Sequence, residues 1–180
     1  EERAAGGVDF GAIESAIGLN WYDADPNLQM LVERLCPAAD RAFAEEKLRH
    51  MGGVIGGPVA ARAEITDKHP PQLEKYDAWG NEVNRVIHHQ SALDTKRDLW
   101  ENGFLSLRWS DEAKATSTGR LPAVVNTGYL YVLNQAETGM ACGIGMTSSA
   151  AGIIHKHAPP DVRERFLHHL TTNAWAAAWD

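Results

Sequence analysis

The chain has 180 residues, 44% hydrophobic and 23% charged, with a net charge of −7 at pH 7. That length suits one domain with a real core, or the first domain of a longer chain. The acidic balance and scattered Lys and Arg argue against a nucleic-acid surface, which needs clustered cations. No apolar run is long enough to span a bilayer, and the start lacks the basic and apolar regions of a secretory signal. The expected location is therefore the cytoplasm, with no membrane partner.

In chain order, residues 1–20 are rich in Gly and Ala with weak periodicity, and read as a loosely held arm. Order is expected from Asn20-Trp21-Tyr22 onward, giving one domain over 21–180. Asp25-Pro26 is a strong helix start, with Asp as N-cap and Pro at the first helical position. Leu28, Leu31, Val32 and Leu35 then repeat at i, i+3, i+4 and i+7 as one apolar stripe. Pro37 ends that helix, and a second runs from Ala38 to Met51 with Phe43 and Leu48 facing inward.

The run Gly52-Gly53-Val54-Ile55-Gly56-Gly57-Pro58 leaves three readings open. It is a loop, a kinked helix whose glycines admit a close neighbour, or a phosphate cradle. The last lacks the following Lys-Ser/Thr and the preceding strand. His69-Pro70-Pro71 stops the helical pattern. Leu73 to Val86 then reads as a hairpin turning at Asp77-Ala78-Trp79-Gly80, with Gly80 free to take positive φ. A lone hairpin is marginal, so it is expected to pack on the helices. Ser91 is expected to cap a helix through Asn102, with Leu93, Leu99 and Trp100 inward and Gly103 past its end. Phe104 to Gly119 is turn-rich, and Pro122 opens another helix.

Thr138 to Ile154 crowds small residues around Met140, Ile144, Met146, Ile153 and Ile154. Its glycines cost helix propensity that packing must return, so a nearly buried central helix is expected. Pro159-Pro160 breaks it and opens an amphipathic helix with Asp161 in its first turn. NAWAAAWD at the end reads as an extended, buried lead. The pattern is all-α, with five to seven helices, one hairpin and no repeat.

Chemistry is sparse. Cys36 and Cys142 lack metal-ligand spacing and read as buried reduced thiols. His88-His89 and His168-His169 are adjacent pairs, and His155 and His157 are two apart, so none shares a helix face and no metal site is expected. The imidazoles ending helices suit the dipole instead. Ser148-Ser149 has no evident base, and Glu45-Glu46 and Asp111-Glu112 read as solvent-facing. Six tryptophans are expected to fill space between helices more than to stack on a ligand. No catalytic residue is assigned.

Four stretches carry a resemblance: NWYDADPNLQMLVERL, HPPQLEKYDAWGNEVNRVIHHQSAL, NQAETGMACGIGMTSSAA and PPDVRERFLHHL. From Trp21 to Asp180 the chain resembles the N-terminal helical domain of the acyl-CoA dehydrogenase superfamily, nearest its alkylation-response, AidB-like branch. The resemblance implies an FAD-dependent oxidoreductase that dehydrogenates acyl-CoA thioesters, passes electrons to an acceptor and assembles as a homo-oligomer. It further implies that the central β-domain, the C-terminal helical bundle and the catalytic glutamate lie outside this stretch. The stretch is thus expected to be a fragment, inactive alone and not binding FAD alone. In the family the helix matching Met140 to Ile154 floors the acyl pocket, which makes Met146, Thr147 and Ala150 candidate pocket residues; close helix packing explains small residues equally well. The rival reading is a non-enzymatic interaction or stress-response module that kept the fold, since fold does not fix function.

Overall fold

The structure, a computed structural model, describes residues 14–173. The arm read over residues 1–20 lies outside those residues from 1 to 13, as does the reading of the Trp175 and Trp179 tail as a buried lead. Helices α1 (Pro26–Leu35), α2 (Arg41–Val54), α3 (Ala60–Lys68) and α4 (Gln90–Glu101) are followed by the short α5 (Asp111–Lys114). Then come α6 (Ala123–Ala136), α7 (Thr138–His157) and α8 (Pro160–Thr171), with strands β1 (Gln72–Tyr76) and β2 (Glu82–Ile87) between α3 and α4. This is the all-α fold with one hairpin that the pattern calls for.

Helix α1 starts as its sequence dictates. One Asp25 carboxylate oxygen accepts from the Asn27 and Leu28 N–H groups, each at 2.9 Å, so two orphan donors are satisfied. The other oxygen accepts from the Tyr131 hydroxyl at 2.8 Å, tying this cap to α6. The apolar stripe divides. Leu28 and Val32 enter the core, whereas Leu31 and Leu35 stay exposed and line a groove of about 450 Å³ against α6.

The glycine-rich run forms a kinked helix, not a loop or a phosphate cradle. Helix α2 passes into α3 through a five-residue π-helical turn, Ile55–Val59. Pro58 lies inside it; its missing N–H and its ring are incompatible with a regular α-turn, and the wider turn absorbs both. The glycines admit the chain that precedes α1. A methyl group on Gly56 would lie 2.2 Å from the Leu19 carbonyl oxygen, and one on Gly52 would lie 2.6 Å from the Tyr22 nitrogen. Gly18 N–H donates to the Gly56 carbonyl at 2.8 Å, and Trp21 N–H donates to that of Gly52 at 3.2 Å.

The hairpin pairs Leu73 with Val86 and Glu74 with Arg85 in antiparallel register, with an irregularity before Tyr76. Gly80 takes φ +83° in its turn. The expectation that it packs on the helices fails. Leu73 is 63% exposed and Trp79 89%, and the ladder pairs β1 with β2. Its base is held instead by His69 and His89, whose rings stack at 4.4 Å.

His89, not Ser91, caps α4. Its Nδ1 accepts from the Ser91 N–H at 3.2 Å. The Ser91 hydroxyl is drawn inward, where it accepts from the Thr66 hydroxyl at 2.8 Å, and the helix begins two residues earlier than a Ser91 cap would place it. Arg62 pairs with Asp98 across the same α3–α4 contact. At the far end Gly103 has φ +80°.

The turn-rich segment after α4 is ordered by burial and one carboxylate. Phe104, Leu105 and Leu107 are core residues. Buried Asp40 accepts from the Ser117 N–H at 2.8 Å and its hydroxyl at 2.6 Å. Helix α6 crosses this core with Val125, Val132 and Leu133 buried, and Tyr129 donates to the Lys47 carbonyl at 3.2 Å. No helix among the described residues is long and apolar enough to cross a membrane.

Candidate functional site

Helix α7 carries the candidate residues, and it is less buried than its composition leads one to expect. Only Ile144 and Ala151 are buried; they are seven residues apart and share one face. That face meets α6, and α8 folds back on the same helix. Much of the rest is only half-buried and part of it open, so Met146 is 70% exposed and Ile153 62%. Cys142, expected to be buried, is exposed as well, while Cys36 is buried; both thiols are free.

Met146 and Thr147 each lie one turn from Ala150, at i+4 and i+3, so the three candidates adjoin on one side of α7. Met146 projects freely, while Thr147 and Ala150 are half-buried. The Thr147 hydroxyl donates to the Gly143 carbonyl at 3.0 Å, which leaves its methyl group as the feature free to meet a neighbour. Ser149 and Ile153 continue the strip at i+3 and i+7 from Met146. The sequence pattern names both but does not assign them to the pocket, although their helical spacing marks them.

The glycines of this helix contrast with those of α2. A methyl group on Gly143, Gly145 or Gly152 would meet nothing within 4 Å. Close packing among the described residues therefore does not explain why these positions are small. The strip is apolar and weakly polar, with no charged group at its centre.

Around it, chemistry-bearing groups are few. Burial holds the Glu137 carboxyl at the start of α7 above the usual carboxylate range, the Gly139 N–H opposes this, and the negative charge of Asp67 adds to it. Glu46 and Glu112 both pair with Lys47, at 3.0 and 2.6 Å, which fits the solvent-facing role read from sequence. Arg49 pairs with Asp23. His155 meets Trp109 edge-on at 4.9 Å, and His168 and His169 sit in the last turn of α8. No group of three or more metal-ligating side chains occurs among the described residues. The arrangement can line a hydrophobic pocket but offers no nucleophile with its base.

Comparison with known proteins accords with this geometry. Residues 13–177 match the model of the adaptive response protein AidB N-terminal domain. The chain is 26% identical over 157 residues to AidB of Escherichia coli (strain K12), covering 80% of this chain and 28% of that protein. It is 24% identical over 131 residues to acyl-CoA dehydrogenase family member 11 of Caenorhabditis elegans, covering 73% and 21% respectively. The chain thus spans about a quarter of the curated relatives it matches. Among solved structures, the apo form of Bd2924 superposes with a TM-score of 0.76 at 21% identity, over 86% of this chain and 30% of that one. Caenorhabditis elegans ACDH-11, solved in complex with C11-CoA, superposes with a TM-score of 0.71 at 19% identity, over 93% of this chain and 28% of that one. The match over nearly the whole chain makes it a member of the adaptive response protein AidB N-terminal domain family, the helical N-terminal part of an acyl-CoA dehydrogenase-like protein.

Proposed function

We propose that this domain forms one wall of an acyl-CoA pocket in a complete FAD-dependent oxidoreductase that dehydrogenates acyl thioesters at the α,β position. The observation that carries the proposal is the open strip of α7 in a chain of this family. Met146, Thr147 and Ala150 adjoin on a partly open face whose glycine Gly143 answers to no described neighbour. Small side chains beside an apolar strip leave room for an acyl tail, and an acyl-CoA complex is known for the C. elegans protein of the same fold.

The described residues of this strip and of the glycine-rich run do not fit FAD. Gly52 and Gly56 are filled by Tyr22, Leu19 and Trp21, and the α7 strip carries no cation for a diphosphate. No flavin-binding or catalytic residue is therefore assigned here, and the electron acceptor, oligomeric assembly and cytoplasmic location belong to the complete protein in this proposal.

The test is a visible absorption spectrum of the complete protein containing this chain. A flavin band that bleaches on adding acyl-CoA is the expected result. Replacing Ala150 with Trp should then weaken use of long acyl chains while leaving the flavin band in place. A protein that takes up no FAD would overturn the proposal in favour of a helical interaction module, and an unchanged chain-length preference would remove Ala150 from the pocket.

A further inference from the structure

A second hollow, of about 740 Å³, opens where the C-terminal ends of α1 and α7 meet the start of α6. Its volume is within the range of small-molecule sites. Arg108, Arg120 and Lys156 line it, and no carboxylate among the described residues does. That is unusual for a chain of net charge −7. Several basic side chains elsewhere are matched, as in Lys47 with Glu112, Arg62 with Asp98 and Arg85 with Glu74. None of the three cations of the hollow has an ion-pair partner among the described residues; Arg108 only overlies the Trp109 ring, at 5.8 Å.

Three like charges around one concavity repel each other, although all three side chains are exposed and water screens that repulsion. The C-terminal dipole of α7 rationalises Lys156, but neither arginine ends an α-helix. The N-cap of α6, Pro122, makes no side-chain capping bond, and Pro122 and Ala123 border the hollow. Unspent N–H groups there add to the positive potential set by the side chains. Leu35, Pro37 and Leu121 supply an apolar wall.

We propose that this hollow binds a small organic phosphate. Arg108 and Arg120 grip the phosphate oxygens through their planar forks, Lys156 adds a point charge, and the apolar wall takes the organic portion. Two to three negative charges on the ligand would balance the three cations.

The experiment is calorimetric titration of the complete protein with inorganic pyrophosphate, before and after saturation with FAD, alongside R108Q, R120Q and the double variant. The expected result is one bound pyrophosphate per chain, weakened at least tenfold in each single variant, weakened further by salt, and unchanged by FAD. Circular dichroism of the variants checks that they fold, and wild-type binding stands as a test if one does not. Absence of pyrophosphate binding by the folded wild type would overturn the proposal, as would equal binding by the variants. Displacement by FAD would reassign the hollow to the flavin's own diphosphate and overturn a separate ligand. Arginine-specific phenylglyoxal failing to reach Arg108 and Arg120 in the ligand-free protein would mean that an acidic part of the protein fills the hollow, again overturning it. A missing flavin band with intact pyrophosphate binding would sink only the dehydrogenase reading.

Discussion

Gly56 and Gly57 are adjacent in one helical turn, and their replacement by Ala should move stability in opposite directions. A methyl group on Gly56 would sit 2.2 Å from the Leu19 carbonyl oxygen and 2.5 Å from Trp21 Cδ1. The first is a backbone atom in a segment held by the Gly18–Gly56 hydrogen bond, so it cannot swing aside as a side-chain end would. Overpacking of this kind costs about 1–3 kcal/mol, and loss of the nearby hydrogen bond adds about 1 kcal/mol. Improved helix propensity returns up to about 1 kcal/mol, leaving a net loss of about 1–3 kcal/mol. On Gly57 the same methyl meets nothing within 4 Å, so propensity alone acts and about 0.5–1 kcal/mol is gained. Urea unfolding followed by tryptophan fluorescence reads both variants against the parent protein. At about 2–4 °C per kcal/mol, a melting curve should separate them by several degrees. Finding G56A as stable as G57A would refute the close approach of the 18–22 segment to α2.

Asp25→Ala removes the α1 cap and the acceptor of the Tyr131 hydroxyl together, and should destabilise by about 1–2 kcal/mol from the cap alone; Asp25→Asn should recover most of that in the same unfolding assay. Burial, assisted by the charges of Glu112 and Glu46, holds the Tyr129 hydroxyl well above its ordinary value of 10.0. The unfolded chain therefore ionises this group first, so its contribution is intact below about pH 10 and stability falls as pH rises further, by up to about 1.4 kcal/mol per unit. Tyr129→Phe should flatten that alkaline slope in stability measured against pH, whatever its effect at neutrality. Trp79→Ser on the exposed hairpin tip should change stability by less than about 0.5 kcal/mol; a larger loss measured by urea unfolding would mean that the tip is covered.

Local signals made the element order legible. Asp25-Pro26, Pro70-Pro71, Asp77 to Gly80, Gly103, Pro122 and Pro159-Pro160 each act within a few residues, through fixed φ, a missing N–H or a satisfied cap. Such effects need no partner from elsewhere in the chain, so they could be read without one. Ser91 shows where this stops. Its local chemistry suits a cap, but Thr66, 25 residues away, takes its hydroxyl and leaves capping to His89.

Tertiary structure alone decided which apolar surface is covered. Leu28 and Leu31 belong to one stripe in the sequence, yet only Leu28 is buried, because α6 and α2 reach one side of α1. The same small-residue composition means tight packing at Gly52 and Gly56 and open space at Gly143. The strip of Met146, Thr147 and Ala150 was found through family resemblance, since spacing fixes its position on α7 but not what lies opposite it. Arg108, Arg120 and Lys156 are far apart in sequence and carried no shared signal. Only the fold gathers them into one hollow, because side-chain proximity across elements is set by packing and not by local chain order.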